Sequence, residues 1–350
     1  MDKNSSFFRY LHEVGAIFVL ALTVVAVSFV RFDRNDISLV DGLAGRSTNI
    51  ALPMSDASCY ILSVEYFRGN AQKENLVLPF AYRVLGPFIA AMLPISNPLT
   101  ALNVLNVVSL VLGGGFLYLL LRKLRYSATS SFIGGMMYAV SFPVFYYGAI
   151  GLTDPLTIPI ISLFTVLLYT KRWWALAPVL VLGALARETT IVLLPVTAVY
   201  VWIVKPKYKW IIVLGASVVF LSTVVAVRSM YADLGNTVWN QPSVDKLMEN
   251  LRGRAMIANI LTFGIPGILT MVWLLRRDVR DKARATVVAL PALTGVFFTL
   301  CIAAYAFVGG YADGRFLWGI SVFAMPFAVD VINRLVLSRF NLNLADKRTA

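Results

Sequence analysis

The sequence predicts an all-α polytopic membrane protein. Apolar residues make up 59% of the 350 positions and charged residues only 14%, and the mean hydropathy is +0.75; soluble domains carry about 25% charged residues. The apolar residues fall into ten runs separated by short polar joints. A few charged residues recur at those joints: Asp56, Arg83, Asp154, Arg187 with Glu188, and Asp313 with Arg315. Charge near membrane depth is costly and marks a substrate path or a reaction centre.

Taken in order, the runs lie at 14–30, 99–121, 129–149, 156–170, 173–186, 189–203, 210–227, 255–275, 285–308 and 316–333. The first reads as a retained anchor. Its apolar stretch continues past the small-x-small triplet Ala26-Val27-Ser28, and Glu13 precedes it, unlike the charged start of a cleaved signal peptide. A crossing needs about 20 residues. The runs at 156–170, 173–186 and 189–203 are shorter, and charges bound them, which suggests a cavity cut into the membrane.

Between the first two runs lies a long loop, 31–98, with two short helices expected in it. In 57–68, Tyr60, Val64 and Phe67 share one stripe with Glu65 and Arg68 off it, the pattern of a helix lying in the interface. The second, 82–93 (YRVLGPFIAAML), is too brief to span, and Pro94 and Pro98 punctuate the approach to the next run. A second large loop, 228–254, contains Trp239, Asn240 and an amphipathic DKLMENLRGR stretch. The chain reads as a single membrane domain over 1–350 with a tail at 334–350.

Orientation follows the lysine and arginine bias. With the N-terminus in the cytoplasm, the inner joints and termini hold 19 basic residues against 6 acidic ones, and the outer segments hold 12 of each. The whole excess of +13 is then cytoplasmic, facing anionic lipid headgroups, so the basic character implies membrane lipids as partners and no nucleic acid. All five polar joints fall on the outer side. The single histidine, His12, rules out a His/Cys-built zinc site, and Cys59 and Cys301 are too few for a disulfide framework.

Each polar joint has a plain reading beside a functional one. Asp56 suits a helix N-cap or a general base facing a membrane cavity. Asp154, followed by Pro155, reads as an N-cap with proline at the first helical position. Arg187 and Glu188 split an otherwise continuous apolar stretch from Trp173 to Val204. They form either an internal Arg–acid pair holding a hairpin or an anion site, since a guanidinium forks onto phosphate. Tyr82 and Arg83 read as an aromatic anchor with a snorkelling arginine. Asp313 and Arg315 flank Gly314 as a polar turn.

At these residues the chain resembles the membrane-embedded GT-C glycosyltransferase superfamily, whose members use polyprenyl-phosphate-linked sugars on the outer membrane face. The resemblance rests on the long first loop with Asp56, the two short helices, YRVLGPFIAAMLP, TDPL (Thr153 to Leu156), ARET (Ala186 to Thr189) and the Asp313-x-Arg315 element. It is similar to compact bacterial members without an added soluble domain, which implies a place in the plasma membrane and a role in cell-envelope glycan synthesis.

The resemblance implies an inverting transfer. Arg187, Arg315 and Arg83 would hold the donor phosphate, and Asp56 would deprotonate an acceptor hydroxyl of a glycan, lipid or protein. Asp154, Glu188, Tyr82 and Asp313 would orient sugar hydroxyls or the arginines. Arg187→Ala would abolish transfer with expression nearly normal. Many members carry a paired acidic or metal-binding motif in the first loop. Here Asp56 stands between Ser55 and Ala57, with Asp33, Asp36 and Asp41 well upstream, which leaves a divalent cation (Mg or Mn) open rather than required. The alternatives are a lipid-linked glycan polymerase or ligase, a lipid or sugar transporter or flippase, and a scaffold subunit that would tolerate loss of the charged joints.

Overall fold

The structure, a computed structural model, describes residues 3–32, 56–235, 242–251, 253–276, 285–309 and 314–335. Asp33, Asp36, Asp41, Trp239, Asn240, Asp313 and nearly all of the tail lie outside the described residues. The described residues form helices and connecting turns, with no strand among them.

Chain order is α1 (Lys3–Phe29), α2 (Asp56–Phe67), α3 (Leu85–Met92), α4 (Pro98–Lys123), α5 (Ala128–Ala139), α6 (Phe142–Tyr147), α7 (Asp154–Tyr169) and α8 (Leu176–Ala186). Then follow α9 (Leu193–Val204), α10 (Lys209–Met230), α11 (Val244–Asn250), α12 (Gly253–Leu275), α13 (Leu290–Gly309) and α14 (Ile320–Leu335).

Local chemistry sets many of these boundaries. Asn97 caps α4 by accepting from Leu99 N (2.9 Å) and Thr100 N (3.1 Å), with Pro98 at its first position, and Arg122 and Lys123 close its last turn. Ser127 caps α5 by accepting from Ser130 N at 3.1 Å. A kink at Gly264 (φ 50°, ψ −159°), two residues before Pro266, bends α12.

Among the described residues, five segments are long and apolar enough to cross a membrane: Leu11–Phe29, Pro98–Lys123, Lys209–Met230, Ala255–Leu275 and Val287–Gly309. Three shorter apolar stretches, Asp154–Tyr169, Trp173–Ala186 and Glu188–Val204, pack among them. The run expected to cross at 129–149 is instead two helices, α5 and α6, parted at Val140–Ser141. Pro143 sits in the first turn of α6, and proline disfavours helical backbone just before it. The last helix, α14, has 16 residues and is buried from Ile320 to Val331.

The architecture follows from which helices are apolar all round. α7 and α14 are buried along most of their length, α7 packing chiefly on α4 and α14 chiefly on α12. α1, α10, α12 and α13 lie outside, presenting large apolar side chains such as Phe18, Trp210, Leu214, Ile257 and Phe297. The short helix α2, expected to lie in the interface, instead buries Tyr60 and Val64 completely against its neighbours. The second short helix begins at Leu85, after a 3-10 turn (Phe80–Tyr82), so Tyr82 and Arg83 precede it rather than start it. Cys59 is buried and Cys301 exposed, and both are free thiols.

The two ends of the bundle differ. At one, Glu13 pairs with Arg122 (2.9 Å), and Tyr126 donates to the buried Asp330 of α14 at 2.9 Å. At the other lie the joints that carry Asp56, Arg83, Asp154, Arg187, Glu188 and Arg315.

Candidate active site

These residues meet because each sits where a helix starts, stops or breaks, and the bundle brings those points together. Asp154 is placed from α4. The loop before it turns at Gly151, whose φ of +72° favours glycine. Two buried asparagines of α4 pin that loop: Gly151 N donates to Asn103 Oδ1 (2.7 Å), and Asn106 Nδ2 donates to Leu152 O (2.7 Å). Thr153, not Asp154, occupies the cap position of α7. Asp154 is the first helical residue, and its carboxylate points at Arg187.

Arg187 is the extended residue (φ −169°, ψ 136°) that stops α8 before the 3-10 turn Glu188–Val192. Its carbonyl accepts from Thr190 N (3.1 Å) and Thr190 Oγ1 (2.8 Å), which fixes the break. Its guanidinium pairs with Asp154, and the two side chains are only 3% and 2% exposed. It also faces the Phe316 ring at 5.0 Å. Its Nε is buried and finds no acceptor among the described residues.

Arg315 comes from the opposite end of the sequence, in the 3-10 turn Gly314–Leu317. Its Nη2 lies 2.5 Å from Asp56 Oδ2, and its Nη1 is 3.9 Å from Asp154 Oδ2. Charges therefore alternate in space as Asp56, Arg315, Asp154, Arg187. Asp56 opens α2, where the helix N-terminus also favours a carboxylate. Burial disfavours its charged form, but Arg315, followed by Arg83 and Arg187, outweighs burial and holds the carboxyl below its usual range. One turn on, the Cys59 thiol is pushed up to about 12, by burial first and then by the Asp56 charge, so it stays protonated at neutral pH.

Arg83 is the most fully engaged of the arginines. It forks onto Glu188 (Nη2 to Oε1 2.7 Å, Nε to Oε2 3.2 Å), and its Nη1 donates to Tyr60 Oη at 2.5 Å. With 3% exposure, it spends its donors on protein groups and fixes Glu188. The internal Arg–acid pairing expected for the split hairpin is thus present twice, with partners from α7 and from the 80–85 turn. Tyr82 stands apart from these pairs, half-buried under the Arg228 guanidinium at 5.5 Å.

A cavity of about 450 Å³ opens beside the pairs. Glu188 and Arg228 are the charged residues of its lining, and Ile191, Ile302, Tyr305 and Phe316 are among the apolar ones. Phe316 separates it from Arg187. A lining that combines charged groups with apolar surface suits an amphiphile.

Sequence reasoning missed four participants: Tyr60, Tyr147, Arg228 and Phe316. Arg228 had a visible signal, a basic residue at the end of a run away from the cytoplasmic clusters. The other three are aromatics in apolar surroundings, where nothing local distinguishes a site contact from packing.

Metal binding does not fit these residues. Among the described residues no group of three His, Cys, Asp or Glu could hold an ion. Asp56 and Asp154 each face a guanidinium, a set that suits an anion. No model of a known protein family matches this chain, and no curated protein matches it.

Proposed function

We propose that the chain is an inverting glycosyltransferase of GT-C type. It would take a sugar from a polyprenyl-phosphate donor to a hydroxyl acceptor at the outer face of the plasma membrane. The observation that carries this reading is Arg187: a buried arginine, beside an amphiphilic cavity, with a buried Nε that finds no acceptor among the described residues. A buried guanidinium with donors to spare favours an anion, and phosphate matches its fork. The cavity's apolar lining residues suit the first isoprene units.

In this reaction Asp56 takes the proton of the acceptor hydroxyl, and the freed oxygen attacks the anomeric carbon. The bond from that carbon to the phosphate oxygen breaks, and its electron pair stays on the phosphate. Arg187 and Arg315 stabilise the negative charge that collects there, a preorganised electrostatic effect worth several kcal/mol. Phosphate is a good leaving group, so no strong acid is needed. Arg83 would hold Glu188 in place to orient a sugar hydroxyl.

The test uses purified protein in lipid nanodiscs with a panel of polyprenyl-phosphate monosaccharides and lipid extracts as acceptors. Release of polyprenyl phosphate with an inverted glycoside in the product supports the reading. Tight binding without turnover, combined with movement of the lipid across a vesicle bilayer, would replace it by transport.

A further inference from the structure

We infer that Arg315 keeps Asp56 out of action until an anionic phosphate takes that guanidinium, so that the site loads its phosphate ligand before its acceptor. This rests on the phosphate-binding reading given above and deepens it.

The same guanidinium is required in two places. In the ligand-free site Arg315 Nη2 is 2.5 Å from Asp56 Oδ2. A carboxylate held in a charge-assisted hydrogen bond offers a poor lone pair to a hydroxyl proton. Each of the three arginines is already paired with a carboxylate, Arg83 with Glu188, Arg187 with Asp154 and Arg315 with Asp56. An arriving phosphate must therefore displace a carboxylate or add to a donor left over.

The three pairs differ in how easily they part. Asp154 and Arg187 are both about fully buried, so separating them strands two charges in a dry interior. Arg83 is gripped by three hydrogen bonds. Asp56 and Glu188 each have a side chain about a third exposed (33% and 34%), but Glu188 is forked by two hydrogen bonds from Arg83, so Asp56 is the carboxylate that can turn toward open space when its partner is taken.

Arg315 is the less free of the two, with a side chain only 8% exposed. The Gly314 N–H donates to the Tyr147 hydroxyl at 3.2 Å, and Gly314 is seated so closely on Ala258 and Thr262 of α12 that even one added carbon would collide. The fixed partner is the arginine and the movable one is the aspartate.

Phosphate on Arg315, with Arg187 Nε as a second donor, thus frees Asp56 and adds a negative charge near it. Both changes raise its affinity for a proton. After transfer, Asp56 gives up that proton to water and returns to Arg315, which helps the spent phosphate leave.

Decyl phosphate, a single-chain phosphate monoester, is the probe, with inorganic phosphate as the arm that separates a lipid headgroup from a free anion. Its affinity for the purified full-length protein is measured by calorimetry at pH 7. Asp56→Asn removes the competing carboxylate, so decyl phosphate should bind about 10-fold more tightly, a usual size for losing one competing charge contact. Asp56→Ser, which also starts a helix well, repeats the measurement if the Asn variant folds poorly. In an Arg315→Gln background the same Asp56 substitution should have no effect. Unchanged or weaker binding by both Asp56 variants, with the wild type binding, overturns the inference and leaves the phosphate reading standing. If the wild type binds neither probe, the phosphate reading itself falls, and this inference with it.

Discussion

Gly314 donates its backbone N–H to the hydroxyl of Tyr147, 167 positions earlier in the chain, at 3.2 Å. Tyr147 ends α6, and its ring packs edge-on against Phe142 and Tyr146 and tilted toward Trp318. The bond ties the end of α6 to the turn that presents Arg315. Tyr147→Phe keeps the ring and removes the acceptor, leaving a buried N–H. A loss of about 1–3 kcal/mol in stability is expected, with decyl phosphate bound more weakly as Arg315 loses its fixed position. Thermal unfolding and calorimetry on the same variant check both. Full stability with unchanged binding would show that Tyr147 does not position the turn.

Arg187→Ala is expected to do more than abolish transfer. The sequence alone suggested near-normal expression, but removing Arg187 strands the buried Asp154 carboxylate. Breaking one side of a buried pair costs about 3–5 kcal/mol. The double variant Arg187→Ala/Asp154→Ala should recover most of that stability and remain inactive. Arg187→Lys should rescue little transfer, because a point charge replaces the fork poorly. Yield and melting temperature of the three variants, set beside phosphate binding, separate the structural part of the role from the chemical part.

The Asp56–Arg315 pair should also appear in the pH dependence of stability. The folded-state carboxyl of Asp56 lies below its usual value. Its contribution is therefore present above the unfolded value of about 3.9 and is lost as pH falls through the lower folded value. From pH 5 to 8 the wild type and Asp56→Asn should differ by a constant amount, and below about pH 4 they should converge. A gap that changes between pH 6 and 8 would mean that another group governs the pair.

Orientation can be measured directly. In a Cys301→Ser background, a cysteine at the exposed position Gln72, on the site's end of the bundle, should react with an impermeant maleimide in intact cells. One at the exposed Lys123, at the opposite end, should react only after permeabilisation. The reverse pattern would place the site in the cytoplasm and remove the outer-face substrates from consideration.

The sequence by itself determined the solvent and the inventory. Its apolar runs required helices in lipid, because a chain without water must satisfy its backbone internally. Its charged joints named Asp56, Arg83, Asp154, Arg187, Glu188 and Arg315, since charge inside an apolar stretch is too costly to be incidental. What only the tertiary structure decided was the pairing. Periodicity carries no information on which joint faces which, and Asp56 and Arg315 stand at opposite ends of the chain. The structure gave Arg83 to Glu188 and Tyr60, left Arg187 Nε without an acceptor among the described residues, and set Asp154 between two arginines. It also divided 129–149 into two helices and buried α14 along most of its length. A proline-bearing apolar run reads the same from sequence whether it crosses the membrane, breaks within it or packs against its neighbours, because hydropathy records how apolar a side chain is and not whether lipid or protein surrounds it.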